Sequence, residues 1–215
     1  MSQTEPLSTH TFRLPAPECK GGMSLEEALA VRRSVREFTL EPITHRELSQ
    51  LLWAAQGITS SDGLRTAPSA GALYPLEVWV ANASGFYHYE PHEHGLTQHL
   101  EGDLRPDICR AALMQEVIVH APAVFVMAAV YERTAHKYGD QRTPRYIHME
   151  AGHAAQNLLL EAVALGLGGV LIGAFNDSEV ERVLSLPTYQ KPLYLIPVGH
   201  PVRVQESEVR SQESE

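Results

Sequence analysis

Apolar positions along the chain follow helical spacing in some stretches and strand spacing in others. Ser24 with Glu27 three residues later forms a capping box, and Leu25, Ala28, Leu29 and Val31 carry helical spacing to about Arg33. Thr44 with Glu47 repeats the device. Leu48, Leu51, Leu52 and Ala55 then predict a second amphipathic helix ending near Gly57. The stretch ITSSDGLRTAPSAGALYP at 58–75 has neither period and reads as a long loop, which in a compact domain is usually functional or disordered. Leu76 to Ala81 alternates as a strand. Gly85 to Leu100 reads as a hairpin, with Gly95 in the turn region and Phe86, Tyr87 and Tyr89 on the strand before it. A short helix is expected over Arg105 to Met114. Ala123 to Tyr131 is nearly all apolar, as a central strand covered on both faces would be.

The polar stretch from Glu132 to Pro144 reads as loop surface. From Arg145 to Leu165, small or apolar residues recur at Ala151, Ala154, Ala155, Leu158, Leu159, Ala162 and Leu165, predicting a long core helix rich in alanine. Gly168 to Phe175 and Leu193 to Val198 read as further strands, separated by a helix from about Ser178 to Leu184. Residues 1–20 hold Pro6, Pro15 and Pro17 and read as an extended arm, 21–201 as a single domain, and 202–215 as a polar tail. This order of elements predicts an α+β fold or three-layer sandwich.

Composition narrows the function classes. The chain has 215 residues, 44% of them hydrophobic, and a formal net charge of −9. A broad basic face for nucleic acid or an anionic membrane is therefore not expected, and any bound anion must be met by a local basic cluster. The first 20 residues hold no apolar run of signal-peptide length, and Cys19 and Cys109 do not make a disulfide scaffold, so the expected setting is the reducing cytoplasm.

RRSVR at 32–36 supplies such a cluster. Arg32, Arg33 and Arg36 offer planar forks that match a phosphate, and Ser34 adds a hydroxyl; a solvated helix end is the competing reading. Pro68, Ser69, Ala70, Gly71 and Ala72 form a small-residue loop through which backbone can approach a flat ligand. Gly166, Gly168, Gly169 and Gly173 follow a helix instead of opening one, which rejects a dinucleotide fingerprint. They read as close packing or as backbone amides open to a ligand near Gly173 and Ala174. Of the eleven histidines, His88, His92, His94 and His99 fall on the expected hairpin, and His148 and His153 on different faces of one helix. A solvated hairpin is the expectation for the first four, and no metal is assigned. Lys137 beside Tyr138 could exchange protons with a substrate, with plain loop surface as the default reading of the pair.

Taken in order, these segments resemble the flavin-dependent nitroreductase superfamily, and within it the SagB-type, azoline dehydrogenase-like branch. The resemblance runs over roughly 24–203. It rests on RRSVR, ELSQLLWAAQGIT at 47–59, RTAPSAGALYP at 65–75, the Lys137–Tyr138 pair, EAGHAAQNLLLEA at 150–162, GLGGVLIGAF at 166–175 and PVGHP at 197–201. It implies a three-layer α/β/α sandwich with a central mixed, mainly antiparallel sheet, in an intertwined homodimer with FMN at the subunit interface. Arg32, Ser34 and Arg36, with Arg33 beside them, match the family's flavin-binding positions. Ser69, Ala70 and Ala72 match the loop that the partner subunit lays on the flavin. Leu171, Gly173 and Ala174 match the segment that passes the ring, and Arg203 a basic residue at the phosphate. Ala72 and Gly173 stand where many nitroreductases carry Asn and Glu.

The resemblance thus implies an FMN-dependent oxidoreductase in which the cofactor carries the electron chemistry. Lys137 and Tyr138 match a pair that acts in proton transfer in azoline-oxidising relatives. The substrate expected is a small molecule or a peptide heterocycle. Reduction of quinones or nitroaromatics driven by NAD(P)H is the alternative, and a flavin-binding or partner-binding protein without turnover is a further one.

Overall fold

Capping fixes where the first two helices begin. In this computed structural model, which describes residues 11–202, a short strand β1 (Thr11–Arg13) precedes helix α1 (Leu25–Val31). The Glu27 amide donates to the Ser24 hydroxyl at 3.1 Å and the Ser24 amide to the Glu27 carboxylate at 2.8 Å, so the capping box is complete. Thr44 and Glu47 cap α2 (His45–Gln56) in the same way, at 3.2 and 2.7 Å. The chain then runs as a loop, with a single 3₁₀ turn at Ala70–Ala72, into strand β2 (Leu76–Asn82).

The hairpin β3 (Gly85–Glu90) and β4 (Gly95–Glu101) turns through Pro91–His94, so Gly95 opens the second strand instead of occupying the turn. Helices α3 (Arg105–Ala111) and α4 (Val117–His120) lead into β5 (Ala123–Val130), followed by α5 (Tyr131–Tyr138), α6 (Thr143–Ala164), β6 (Gly168–Gly169), α7 (Asp177–Val183) and β7 (Gln190–Gly199).

All eight residues of β5 are buried, and the alternation along it explains the layering. Ala123, Phe125, Met127 and Ala129 face one core with Leu51 and Leu52 of α2 and Ala151, Ala154, Leu158 of α6. Val124, Val126 and Ala128 face a second core with Ile108 of α3, Ile118 of α4, Val180 of α7 and Leu184 just after that helix. The sheet order is β1-β4-β3-β2-β5-β7-β6. The three-layer sandwich is as expected. Every ladder is antiparallel, and parallel pairing is confined to an isolated Ser34–Gly169 bridge.

Three expectations are corrected. Residues 131–138 form a helix where loop surface was expected, and 117–120 form a short turn of helix that the pattern did not announce. The strand expected over Gly168–Phe175 shrinks to two residues. Beyond it the Val170 amide donates to Pro197 at 3.2 Å with no N–H on Pro197 to return the bond, and pairing continues only as an isolated Ile172–Leu195 bridge with reciprocal bonds of 2.9 and 3.0 Å. Cys19 and Cys109 are free thiols, and no described helix is long and apolar enough to cross a membrane.

The glycines after α6 divide by role. Gly166, at φ 76°, closes the helix: its amide donates to Val163 and that of Leu167 to Ala162, the Schellman pattern. A Cβ on Gly168 would lie 2.6 Å from a Val35 methyl, so this glycine lets the 32–36 segment lie against the sheet edge. Gly168→Val is therefore expected to cost about 1–3 kcal/mol by overpacking. Equilibrium urea unfolding should show a lower midpoint with an unchanged slope.

Candidate functional site

The expected site residues gather into two groups. The first lies at the β6 edge. Arg32 is the C-cap of α1, its amide donating to Ala28 at 3.0 Å. Arg33 turns back on that helix end, its Nη1 donating to the Ala30 and Arg32 carbonyls at 3.1 and 2.7 Å, so its guanidinium caps α1. Arg32 and Arg36 pair with no carboxylate among the described residues. Ser34 is exposed beside them and bridges to Gly169, with the Val35 amide on the Gly169 carbonyl at 3.0 Å. That bridge brings RRSVR alongside the segment that carries Leu171, Gly173 and Ala174.

The amides of Gly173 and Ala174 donate to no described residue, and both residues are exposed. Space around Gly173 is open, the nearest atom to a Cβ there being a Tyr194 ring carbon at 4.0 Å. The side chain of Leu171 packs into the core under α2 and α6. The glycine run therefore serves both expected uses: Gly168 and Gly169 pack closely, and Gly173 exposes backbone. Arg203 lies outside the described residues.

The second group lies at the start of β2. Pro68, Gly71 and Ala72 are exposed, and Ser69 and Ala70 partly so. A Cβ on Gly71 would sit 2.8 Å from Lys137 Nζ and 2.9 Å from the Tyr138 hydroxyl, so the loop apex abuts the end of α5. Lys137 and Tyr138 thus occupy the last turn of a helix closed by Gly139, with Lys137 Nζ 5.6 Å from the centre of the Tyr138 ring and that ring 4.7 Å from the Tyr146 ring at a tilt of 59°.

The two groups stand apart within one chain. Gly168 and Gly169 pair with Gly199 and Val198 of β7, and Val198 lies opposite Ala123, the first residue of β5. The loop precedes Leu76, which lies opposite Ala129 at the other end of β5. Six residue steps separate the arginine segment from the loop along β5, about 20 Å at ~3.3 Å per residue, whereas Ile172 bridges Leu195 opposite Val126, so Gly173 lies nearer the loop's end of the strand than the arginines do.

Polar networks that sequence reasoning did not foresee surround the second group. Arg133 of α5 donates to the Tyr74 carbonyl at 2.9 Å and pairs with Glu77. His88 stands between Glu77 and Glu90 at 2.7 and 2.8 Å. Burial alone would push this imidazole down, but the two carboxylates together outweigh it and raise it to about 9. The expectation of a solvated hairpin fails: His88 is an ion-pair centre, His94 joins Ser49 and Tyr89 at 2.7 and 2.9 Å, and His99 meets the Ser185 carbonyl at 3.0 Å. His92 is exposed. No cluster suited to a metal occurs among the described residues.

Glu150 was missed altogether. It is 2% exposed on the core face of α6, one helical turn from both Ile147 and Ala154. Burial raises its carboxyl to about 7, against the opposing pull of Ser69, Arg65 and Gln56. The sequence signal was a charged residue falling in register with the apolar stripe.

A raised carboxyl makes folding pH-dependent with a defined sign. Between about 4.5 and about 7 the native state keeps a proton that the unfolded chain has lost, so stability falls as pH rises through that window. Stability curves of the native protein and Glu150→Gln should diverge across that interval, with the variant gaining relative stability toward neutral pH. A constant difference from pH 4 to 8 would exclude a protonated Glu150.

Comparison with known proteins gives this geometry its context. The nitroreductase family pattern matches residues 29–200. A protein of Methanocaldococcus jannaschii that carries a nitroreductase name is 46% identical over 198 residues, covering 89% of this chain and 98% of its own. An NADPH-flavin oxidoreductase of Vibrio harveyi is 25% identical over 182 residues, 81% of this chain and 65% of that protein. Among solved structures, one from Ralstonia eutropha described as a nitroreductase superimposes with a TM-score of 0.83 at 31% identity, over 93% of each chain. This chain belongs to the nitroreductase family, whose members are flavin oxidoreductases, and it is an enzyme of that class.

Proposed function

We propose that the protein is an FMN-dependent oxidoreductase acting as a homodimer, with each site built from the arginine group of one subunit and the loop group of the other. The observation that carries this reading is the pairing of two unopposed guanidinium groups, Arg32 and Arg36, with the free amides of Gly173 and Ala174 on one sheet edge. That donor set fits a flat cofactor with a phosphate. Arg32, Arg36 and the Ser34 hydroxyl would hold the dianion, with Arg203 as a further contributor, and Arg33 supports the helix end beneath them. The Gly173 and Ala174 amides would meet the ring, where no side chain at Gly173 obstructs approach. Leu171 would buttress this segment from the core side.

The separation of about 20 Å along β5 between the register of the arginine segment and that of the loop supports the dimer, since Pro68, Ser69, Ala70, Gly71 and Ala72 stand well away from their own chain's arginines. Small residues there permit stacking and exclude water. Bound FMN supplies two-electron chemistry in two half-reactions with different partners.

Lys137 and Tyr138 arrive in the site with the loop, because they touch Gly71. Their role in this reading is proton transfer with the substrate, and the SagB-type assignment, dehydrogenation of an azoline-like heterocycle, rests on them. A second reading, reduction of nitro or quinone compounds, is favoured by the Vibrio harveyi relative, whose name specifies NADPH and flavin. In either case Ala72 and Gly173 leave the site without two polar side chains that many relatives bring.

Apoprotein titrated with FMN and followed by flavin fluorescence tests the cofactor reading. Each lost charge-assisted contact is worth roughly 1.5–3 kcal/mol, so Arg32→Ala with Arg36→Ala should weaken binding by at least about tenfold; unchanged affinity sinks the assignment. For the catalytic pair, Lys137→Ala should keep the flavin spectrum and lose roughly 10²–10⁴ in turnover of a substrate whose oxidation needs proton transfer. Full turnover in that variant would remove Lys137 from the chemistry.

A further inference from the structure

Helix α5 carries Lys137 and Tyr138, yet apolar burial does little to hold it in place. Of its eight residues only Thr134 is fully buried. Tyr131 at its start packs partly against the core under α2 and α6, and the Tyr131 hydroxyl lies 3.2 Å from His148 Nε2 on α6. Tyr138 at its end meets the Tyr146 ring. Arg133 stands one helical turn before Lys137 and so on the same face.

Arg133 joins the helix to two further elements. Its Nη1 donates to the Tyr74 carbonyl of the loop at 2.9 Å, and its Nη2 pairs with Glu77 Oε1 on β2. The second Glu77 oxygen accepts from His88 Nε2 on β3 at 2.7 Å, and His88 Nδ1 donates to Glu90 at 2.8 Å. The Trp79 ring packs against the imidazole, with ring centres 4.3 Å apart. Glu77 shares a face of β2 with Trp79, which enters the second core, and its side chain is only 12% exposed. An acid placed there is tolerable only if its charge is paired and its oxygens are hydrogen-bonded. Burial pushes the Glu77 carboxyl up, but His88 and Arg133 together outweigh it and hold it below the ordinary carboxylate range.

The peptide that Arg133 grips is in an unfavoured conformation. Ala72 and Tyr74 have φ of 53° and 47°, values that alanine and tyrosine keep only where their surroundings over-determine them. The Tyr74 amide donates to the Ser69 hydroxyl at 2.9 Å and its hydroxyl accepts from the Arg65 amide at 3.1 Å, both within the loop, whereas its carbonyl reaches Arg133 on α5. Gly71 abuts Lys137 and Tyr138, so the loop runs back along the helix and meets its last turn at Gly71 and its first at Tyr74. We propose that Glu77 and Arg133 are positioning residues for the active site: Glu77, fixed by His88, orients the Arg133 fork, which fastens the Tyr74 peptide to α5 and so holds Lys137 against the loop apex. This rests on the reading of the loop and the Lys137–Tyr138 pair as one half-site.

Hydrogen-exchange mass spectrometry on the purified full chain tests the fastening without requiring flavin. Arg133→Met keeps the aliphatic stem and loses both bonds. Peptides 69–75 and 131–138 should then exchange about tenfold faster while 123–130 of β5 keeps its native rate, which separates local release from global unfolding. Glu77→Gln leaves the fork without its anion and should release the same two segments. Because the two residues act in series, the double variant should exceed the larger single effect by no more than about twofold. Native exchange in both segments of either folded single variant, or effects that multiply in the double, overturns the proposal; should Arg133→Met fail to fold, Glu77→Gln decides alone. Turnover then tests position: Arg133→Met should lower kcat about tenfold in the native background and cause no further loss beside Lys137→Ala. A further tenfold loss there is what mere destabilisation would give, and it overturns positioning. If Lys137→Ala itself retains full turnover, the catalytic assignment of the pair falls, and faster exchange in 69–75 and 131–138 still supports the fastening.

Discussion

Everything in this fold is organised by one strand with no solvent-facing side. Because β5 alternates its side chains between two cores, it needs helices on both faces, and the chain supplies α2 and α6 on one and α3, α4 and α7 on the other. Neither face can be exposed without uncovering Phe125 and Met127 or Val124 and Val126, all of them fully buried. The rigidity of that strand is what makes distances in the site meaningful. Loops at its two ends are fixed relative to each other by a packed β ladder and not by tethers of their own.

The same rigidity imposes the division of labour. The arginine segment is tied to the Ala123 end through β6 and β7, and the loop to the Ala129 end through β2. No bending of ordinary amplitude brings two ends of an eight-residue buried strand together. In the reading proposed above, a cofactor that uses both groups is shared between two copies, and an isologous pairing would supply the complementary half to each subunit at once. The apolar side chains that α1 leaves in solvent, Leu25, Leu29 and Val31, are each more than half exposed and agree with further burial of this kind.

Much of the architecture was legible because it depends on local rules. Ser24 with Glu27 and Thr44 with Glu47 announced two helix starts to the residue, and the uninterrupted run at 123–130 announced a strand buried twice. Helix α5 was not legible: among its residues only Thr134 is fully buried, and the side chains it presents to neighbours, Arg133, Lys137 and Tyr138, act through polar contacts that leave no hydrophobic period. The site was half legible. RRSVR and Gly173 could be picked out as donors, but Arg33 proved to be a helix cap, which only the local backbone decides. The link from His88 to Glu77 was invisible for the opposite reason, since it crosses from β3 to β2 and sequence spacing says nothing about it, and the burial of Glu150 depends on what other elements pack over α6.

Ion pairs elsewhere also bear on how a chain of net charge −9 could hold an anion at the site proposed above. Of its guanidinium groups, Arg46, Arg105, Arg133 and Arg182 are each matched to a carboxylate close at hand. Arg65 is drawn below the ordinary guanidinium range mainly by burial, and its guanidinium donates to Gln56 and lies over the Tyr74 ring. Arg32 and Arg36 stand outside this pairing, at the point where backbone amides are also unclaimed. Free cations beside free amides on one sheet edge, in a chain where acid outnumbers base, are the donors that the proposed anion site calls for, and the pairing of those other arginines leaves fewer free cations to compete with that edge.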